Sequence, residues 1–179
     1  LGSDAAWVPL LTEQGVDIAP LKPANCGFDV FGRIGLGWTA HFRDRYAGHP
    51  VKTVALKVSA NVASEGGKGS PLFERQGEFV VTETGVEGSL IYAASALLRD
   101  ALAQGPTCLA LDLLPDKSTD QVLAQVSWPR GSRSLSSHLK SRLGLEGVKL
   151  GLLYELCSPE ALADPKSVAP VSYTHLTLP

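Results

Sequence analysis

The segment TETGVEGSLIY, which begins at Thr82, has the residue types of an anion-binding turn. A strand is predicted to end at Thr82 and a helix to begin near Ser89, so Gly85 and Gly88 fall in the connection. Free N–H groups at a helix start attract phosphates and developing oxyanions, and glycine lets a ligand approach the backbone closely. The alternative is purely structural: the glycines shape the turn, Ser89 caps the helix and Glu87 complements its dipole.

Two further segments could contribute chemistry near a cofactor. FGRIGLG, starting at Phe31, spaces its glycines G-x-x-G-x-G. A dinucleotide-binding loop needs G-x-G-x-x-G between a strand and a helix, so an irregular loop is the better prediction here. Asn25 and Cys26 lie in a predicted loop, where a thiolate beside a flavin could be redox active. No histidine or basic residue adjoins Cys26, which favours an inert thiol.

The histidines, cysteines and acidic turn residues give little sign of a metal or catalytic site. His41 and His49 are eight residues apart without carboxylates at ligand spacing, so no metal site is predicted. Asp112 and Asp116 belong to LDLLPDKS, a predicted turn, and receive no catalytic role. The 3 cysteines are odd in number and show no CxxC spacing, which is typical of a reduced cytoplasmic protein.

The stretch WPRGSRSLSSHLKSR, from Trp128, is the most basic part of the chain. Arg130, Arg133, Lys140 and Arg142 could contact a nucleotide phosphate or RNA, although a solvated basic helix face is the better explanation. Across the whole chain, 16 basic and 18 acidic residues leave a net charge of −2. This balance disfavours nucleic acid as a partner.

Length and patterning predict one ordinary domain or two small ones in 179 residues. The longest apolar runs reach about ten residues where a membrane span needs roughly 20, so no membrane partner is expected. Period-two alternation predicts strands over 51–60, 77–84 and 107–115. Residues 16–30, which contain Pro20 and Pro23, are predicted to form one short strand plus a structured loop. Helical spacing predicts the following segments: 3–15, 38–46, 89–104, 119–126, 136–142 and 146–157.

The two ends of the chain differ from the rest. The chain contains 0 methionines, so we expect it to be a piece of a longer protein. Residues 169–179, ending in VSYTHLTLP, change abruptly to serine, threonine and proline. They resemble translated adapter sequence, and we exclude them from the predicted fold as a foreign tail. Tyr173 and His175 then carry no functional weight.

Four ordered segments together resemble one family, the BaiN/RsdA-like NAD(P)/FAD-dependent flavoproteins: LGSDAAWVPLL, PLKPANCGFDV, GEFVVTETGVEGSLIYAASALLRDAL and LDLLPDKS. The resemblance covers residues 1–165, and GEFVVTETGVEGS is its most specific part. It implies an α+β fold in which a small β-barrel-like part and a helical part are inserted in a Rossmann-like flavin-binding domain. Most of that flavin-binding domain is absent here. FGRIGLG departs from the family, whose FDV runs almost directly into the tryptophan at position 38.

The resemblance also implies a division of the chain and a set of roles. The expected ranges are 1–20 for the end of the first flavin-domain half, 21–86 for the β part, 87–168 for the helical part and 169–179 for the tail. Gly2, Ser3 and Asp4 would lie near the cofactor, FAD in the full-length parent, with NAD(P)H as a further candidate. The expected substrate-pocket residues are Asn25, Cys26, Thr82, Glu83, Thr84, Gly85, Gly88 and Ser89.

Two functions remain open at this level. In the first, the chain is an internal fragment of a flavin-dependent oxidoreductase, which contributes the substrate-side insert, binds no cofactor stably by itself and is inactive alone. A small molecule is then the substrate of the parent. In the second, the chain is a non-catalytic module that docks a protein or nucleic acid through its basic helical region. Charge reversal at Arg130 and Arg133 separates the two hypotheses.

Overall fold

The computed structural model describes residues 4–59, 71–164 and 173–179. These residues form an eight-stranded antiparallel sheet and seven helices, which confirms the α+β prediction of a barrel-like part with a helical part. In chain order the elements are α1 (Trp7–Glu13), β1 (Phe28–Asp29), β2 (Phe31–Gly32), β3 (Gly35–Leu36), α2 (Ala40–Tyr46), β4 (Pro50–Val58), β5 (Phe73–Val81), β6 (Gly85–Glu87), α3 (Ser89–Leu102), β7 (Thr107–Asp112), α4 (Thr119–Val126), α5 (Leu135–Leu143), α6 (Gly147–Leu156), α7 (Pro159–Ala163) and β8 (Tyr173–Leu178).

The sheet curls so that β1, at one end of the strand order, and β2, near the other end, are consecutive in the chain. Its strand order is β1-β6-β5-β4-β7-β8-β2-β3. Only Val30 separates β1, which pairs with β6, from β2, which pairs with β8. The Val30 N–H donates to the carbonyl oxygen of Thr84 at 3.0 Å, next to the β1–β6 pair. Because β1 is bonded to β6 and the directly following β2 is bonded to β8, the sheet closes into a nearly complete barrel.

Strand β8 links β7 to β2 and so completes this closure. It pairs with β7 along its whole length, and Thr177 lies opposite Phe31 of β2. Leu176 and Leu178 are both fully buried, as alternate residues of a strand with one face on the core. The exclusion of residues 169–179 from the fold is therefore wrong for β8, whose alternating leucines suit a half-buried strand. The foreign origin of this segment stays a prediction.

Helix α3 covers the barrel through one apolar face. Leu90, Ile91, Ala94 and Leu98 are buried at helical spacing, and the helix packs mainly against β5. Gly77 of β5 allows the close approach, since a Cβ there would lie 3.3 Å from Leu90 Cδ1. Glycine at this point of β5 therefore brings the start of α3 down onto the sheet.

The helical part follows β7 and folds by local rules. Ser118 and Gln121 form a reciprocal capping box at the start of α4, and α5 ends at Gly144 in the left-handed conformation. His138 is fully buried, and its Nε2 lies 3.1 Å from the carbonyl oxygen of Gln125 near the end of α4. The four predicted helices of the second half are present, and the structure adds the short helix α7.

One local prediction is wrong. FGRIGLG is a tight hairpin, β2 and β3 joined at Arg33 and Ile34, rather than an irregular loop. This turn lacks the Asn-Gly or Asp-Gly pair that usually marks such hairpins in a sequence.

The prediction for residues 16–30, one short strand plus a loop, agrees with the structure: β1 begins at Phe28, and residues 16–27 before it contain no strand. Prolines in this segment remove ladder donors.

Candidate functional site

The turn between β5 and β6 holds four of the predicted substrate-pocket residues in a rigid arrangement. The Gly85 N–H donates to Thr82 Oγ1 at 2.8 Å, and the Thr82 N–H donates to the Gly85 carbonyl oxygen at 2.8 Å. Trp38 Nε1, on a buried ring, donates to the same carbonyl oxygen at 3.1 Å. Glu83 and Thr84 are exposed at the tip. These hydrogen bonds hold the turn on its buried side, while the side chains of Glu83 and Thr84 face solvent.

The loop of Asn25 and Cys26 lies at the opposite end of β6 from this turn. Gly27, which follows the loop, lies so close to β6 that a Cβ would be 2.9 Å from the carbonyl oxygen of Val86. Pairing of β1 with β6 then continues the contact, and Thr84 Oγ1 donates to the carboxylate of Asp29. Asn25 is exposed and Cys26 is half-buried. The β1–β6 pairing therefore separates the two predicted segments: Asn25 and Cys26 precede one end of β1, and Thr84 lies beside Asp29 at its other end.

Gly88 and Ser89 lie beyond β6, at the start of α3. Gly88 is the N-cap residue with φ +108°, and a Cβ would lie 3.3 Å from the Cα of Phe79. The alternative in which Ser89 caps the helix is wrong, because Ser89 is the first helical residue and no side chain caps α3. Ser89 instead lines an open groove of about 590 Å³. The full lining is Lys52, Thr53, Arg75, Gln76, Gly77, Glu78, Ser89 and Leu90.

Of the three residues predicted near the cofactor, Asp4 is the one that the structure describes. Gly2 and Ser3 lie outside the described residues. Asp4 Oδ1 accepts a hydrogen bond from the Ala6 N–H at 3.0 Å and so supports the start of α1. None of the residues of α1 is buried, and Leu10 is 64% exposed. The apolar side of this helix therefore has no covering surface among the described residues.

Glu155 is a buried polar residue that the sequence does not reveal as important. It is 5% exposed, and its carboxylate accepts hydrogen bonds from the Thr39 N–H and the Thr39 hydroxyl, both at 2.7 Å. Thr39 is the N-cap of α2, so a carboxylate from α6 supplies the acceptors at that helix start. The two residues are 116 positions apart, and no local pattern joins them.

A second polar cluster joins α6 to the sheet. Lys149 Nζ donates to the carbonyl oxygens of Thr53 and Leu113, each at 2.8 Å. Burial lowers the pKa of Lys149, opposed by the nearby carboxylates of Asp116 and Asp112. Burial also raises the pKa of Asp112, against the hydrogen bond that its carboxylate accepts from the Leu114 N–H. The pKa shifts of Lys149 and Asp112 therefore follow from their burial and their contacts within the fold.

The raised pKa of Asp112 predicts a specific pH dependence of stability. The folded state binds a proton at Asp112 more tightly than the unfolded state, so this group favours folding at low pH. Its contribution is lost as pH rises from the ordinary aspartate value of 3.8 through the raised folded pKa. Asp112→Asn should remove this part of the pH dependence while keeping an oxygen acceptor for Leu114. Urea denaturation between acid and neutral pH measures it.

Asp17→Asn is the matched control, because Asp17 is exposed and lies in a segment without helix or strand. That variant should keep the wild-type dependence of unfolding free energy on pH. An unchanged dependence in Asp112→Asn would contradict the role assigned to this carboxylate.

The basic stretch is largely engaged within the protein. The Arg142 guanidinium carbon lies 4.4 Å from the ring centroid of Trp128, and Lys140 Nζ lies 2.7 Å from Glu146 Oε2. Trp128 remains 56% exposed, and Arg130 is exposed on the connection between α4 and α5. Lys140 and Arg142 therefore both make intramolecular contacts.

The described residues hold neither a metal-binding cluster nor a membrane-spanning helix. Within them, no group of three or more histidine, cysteine or acidic side chains could hold a metal ion. His41 and His49 are both exposed. No described helix has the length and apolar character needed to cross a bilayer.

The architecture defines the class of protein: a barrel-like antiparallel sheet followed by a small helical part. A family model described as the HI0933-like protein barrel and H2TH domain matches residues 22–168, and the chain belongs to this family. This domain is the insert of the BaiN/RsdA/HI0933 flavoproteins. No curated protein gives a significant match to the chain. The family match ends before β8, so this strand lies outside the matched region.

Proposed function

We propose that the chain is an internal fragment of a cytoplasmic flavin-dependent NAD(P)/FAD oxidoreductase, and that it contributes the insert on the substrate side of the flavin. The parent would carry FAD and draw electrons from NAD(P)H. Flavin supplies hydride transfer in such an enzyme, while the protein orients the substrate and excludes water. The fragment itself would bind no cofactor stably and would be inactive alone.

The observation that carries this proposal is that the chain belongs to a flavoprotein insert family, whose model matches residues 22–168. The Asn25–Cys26 loop and the Thr82–Gly85 turn are distant in sequence and lie at the two ends of the β1–β6 pair, where their polar side chains are exposed or half-buried. Exposed polar groups held on a rigid scaffold suit substrate recognition. We therefore assign Asn25, Thr84 and Glu83 to substrate contact at the edge of the barrel.

The exposed first helix supports the fragment part of the proposal. Trp7, Leu10 and Leu11 are 43%, 64% and 41% exposed. Apolar side chains grouped on one short helix favour a covering domain. In the parent, the flavin-binding domain would cover α1 and place Gly2, Ser3 and Asp4 near the cofactor.

The test uses the complete reading frame recovered from the source DNA. The purified full-length parent should show the visible absorbance of bound flavin and should be reduced by NADH or NADPH. In that protein, Asn25→Gly should lower kcat/KM by about tenfold, the effect of one lost polar contact to the substrate, with the flavin content unchanged. Glycine suits this position because Asn25 has φ +53°.

Arg130→Glu provides the control, since Arg130 is exposed in the helical part, far in sequence from both loops. It should leave turnover and flavin content unchanged. A full-length protein without flavin would overturn the oxidoreductase proposal. Wild-type turnover in Asn25→Gly would overturn the placement of the substrate beside Asn25.

The exposed Trp128 favours a second candidate, the non-catalytic binding module. A half-exposed indole with a stacked arginine is a surface on which a base or an aromatic side chain could pack. Arg130→Glu combined with Arg133→Glu should then abolish binding to a protein or nucleic-acid partner. The first proposal expects these two substitutions to leave the flavin enzyme unaffected.

A further inference from the structure

A bulge in β4 lines the groove beside Ser89. Val51 pairs with Phe79 and Val54 pairs with Gly77, so β4 holds one residue more than β5 between these pairs. Thr53 lies in this bulge with φ +52°, a conformation that β-branched residues rarely adopt. The two residues of β4 between these pairs, Lys52 and Thr53, both line the groove.

The bulge is held in place by the rest of the protein. Lys149 of α6 donates to the Thr53 carbonyl oxygen at 2.8 Å and so fixes the strained residue. On the other side, Leu90 of α3 is buried against Gly77 and forms the apolar part of the lining. The groove is therefore bounded by β4, β5 and α3, each anchored to the core. A preformed cavity of about 590 Å³ has the size of a small-molecule site.

The polar lining favours an anion. Lys52 and Arg75 line the groove and are exposed, and the ion pairs among the described residues involve neither of them. Gln76 and Ser89 add an amide and a hydroxyl that can donate hydrogen bonds. Glu78 is the one carboxylate in the lining, so the cations outnumber it. A guanidinium and an ammonium together match the oxygens of a phosphate or diphosphate.

We infer that this groove is a binding site for a phosphate-bearing small molecule, with Lys52 and Arg75 as the anion ligands. The inference goes beyond the proposed flavin function and does not depend on it, because no residue of the Asn25–Cys26 loop or of the Thr82–Gly85 turn lines the groove. Two sources share this chemistry: a free diphosphate, and a nucleotide that carries the same group.

The experiment is calorimetric titration of the chain with pyrophosphate and, separately, with NADP⁺. Arg75→Glu should weaken binding by at least about tenfold, since it replaces a charge-assisted bond with a repulsion. Glu78→Gln should strengthen binding severalfold because it removes the opposing carboxylate. Tighter binding of NADP⁺ than of pyrophosphate identifies a nucleotide site, and equal binding identifies a site that reads the diphosphate alone.

Arg33→Glu is the matched control, with the same charge change at an exposed arginine in the turn of the β2–β3 hairpin. It should leave both affinities unchanged. Equal weakening by Arg75→Glu and Arg33→Glu would reduce the effect to overall charge and overturn the site. Failure of both probes to bind with a Kd below about 10 mM would overturn it as well. If Arg75→Glu loses its circular dichroism, Lys52→Gln takes its place in the same comparison.

Discussion

Gly85→Ala is expected to lower the free energy of unfolding by about 3 kcal/mol or more. An added Cβ would overlap the carbonyl oxygen of Phe28 and lie 2.7 Å from the Cα of Asp29. Both are backbone atoms of β1, so the methyl group cannot be accommodated by a side-chain rotation. The β1–β6 pairing would have to separate, and with it the hydrogen bond between Thr84 and Asp29. Urea denaturation followed by circular dichroism measures the loss.

Gly144→Ala separates this clash from the general cost of removing a glycine. Gly144 has φ +68°, and a Cβ added there would meet no atom within 4 Å, so only backbone strain of about 1 kcal/mol is expected. A loss at Gly85 no larger than that at Gly144 would show that β1 and β6 are not in close contact. In the full-length parent, Gly85→Ala should also disturb substrate binding, because Gly85 ends the turn that carries Thr84.

Leu176→Ala is expected to cost about 3 kcal/mol of unfolding free energy. Leu176 is fully buried on β8, the strand that joins β7 to β2. Truncation to alanine leaves a cavity in the core, and the surrounding sheet can relax only partly around it. Thermal and urea denaturation of the chain both report this loss.

Leu36→Ala is the matched control in the neighbouring hairpin, since Leu36 is 62% exposed. Its effect should stay within about 0.5 kcal/mol. A wild-type stability for Leu176→Ala would mean that β8 contributes nothing to the core and that the barrel is stable without it. This experiment therefore tests whether a segment outside the family match has become part of the fold.

Local patterns in the sequence were sufficient for most helices and for the longer strands. Leu90, Ile91, Ala94 and Leu98 repeat at the helical period, and their burial on α3 follows from that spacing alone. The alternation in β4 likewise predicted a strand, although not its bulge at Thr53. Such elements are predictable because their cause, a periodic apolar face, lies within a dozen consecutive residues.

Short strands were harder to predict from the sequence. β1, β2, β3 and β6 have two or three residues each, too few to show a period. β8 has six residues, but its change of composition suggested an unrelated tail rather than a strand. These strands exist because their partners in the sheet supply the hydrogen bonds, and the identity of those partners is a long-range property.

The candidate site likewise has one part that the sequence predicts and another that only the tertiary structure reveals. Sequence by itself determined the glycine-rich turn at Thr82–Gly85, the loop at Asn25 and the helix that begins at Ser89, since turns and helix starts depend on neighbouring residues. Only the tertiary structure decided that the first two lie at the two ends of the β1–β6 pair, and that Ser89 lines a groove with Lys52 and Arg75. The physical reason is barrel closure: pairing between strands far apart in the chain sets which side chains share a surface, and no local pattern contains that information.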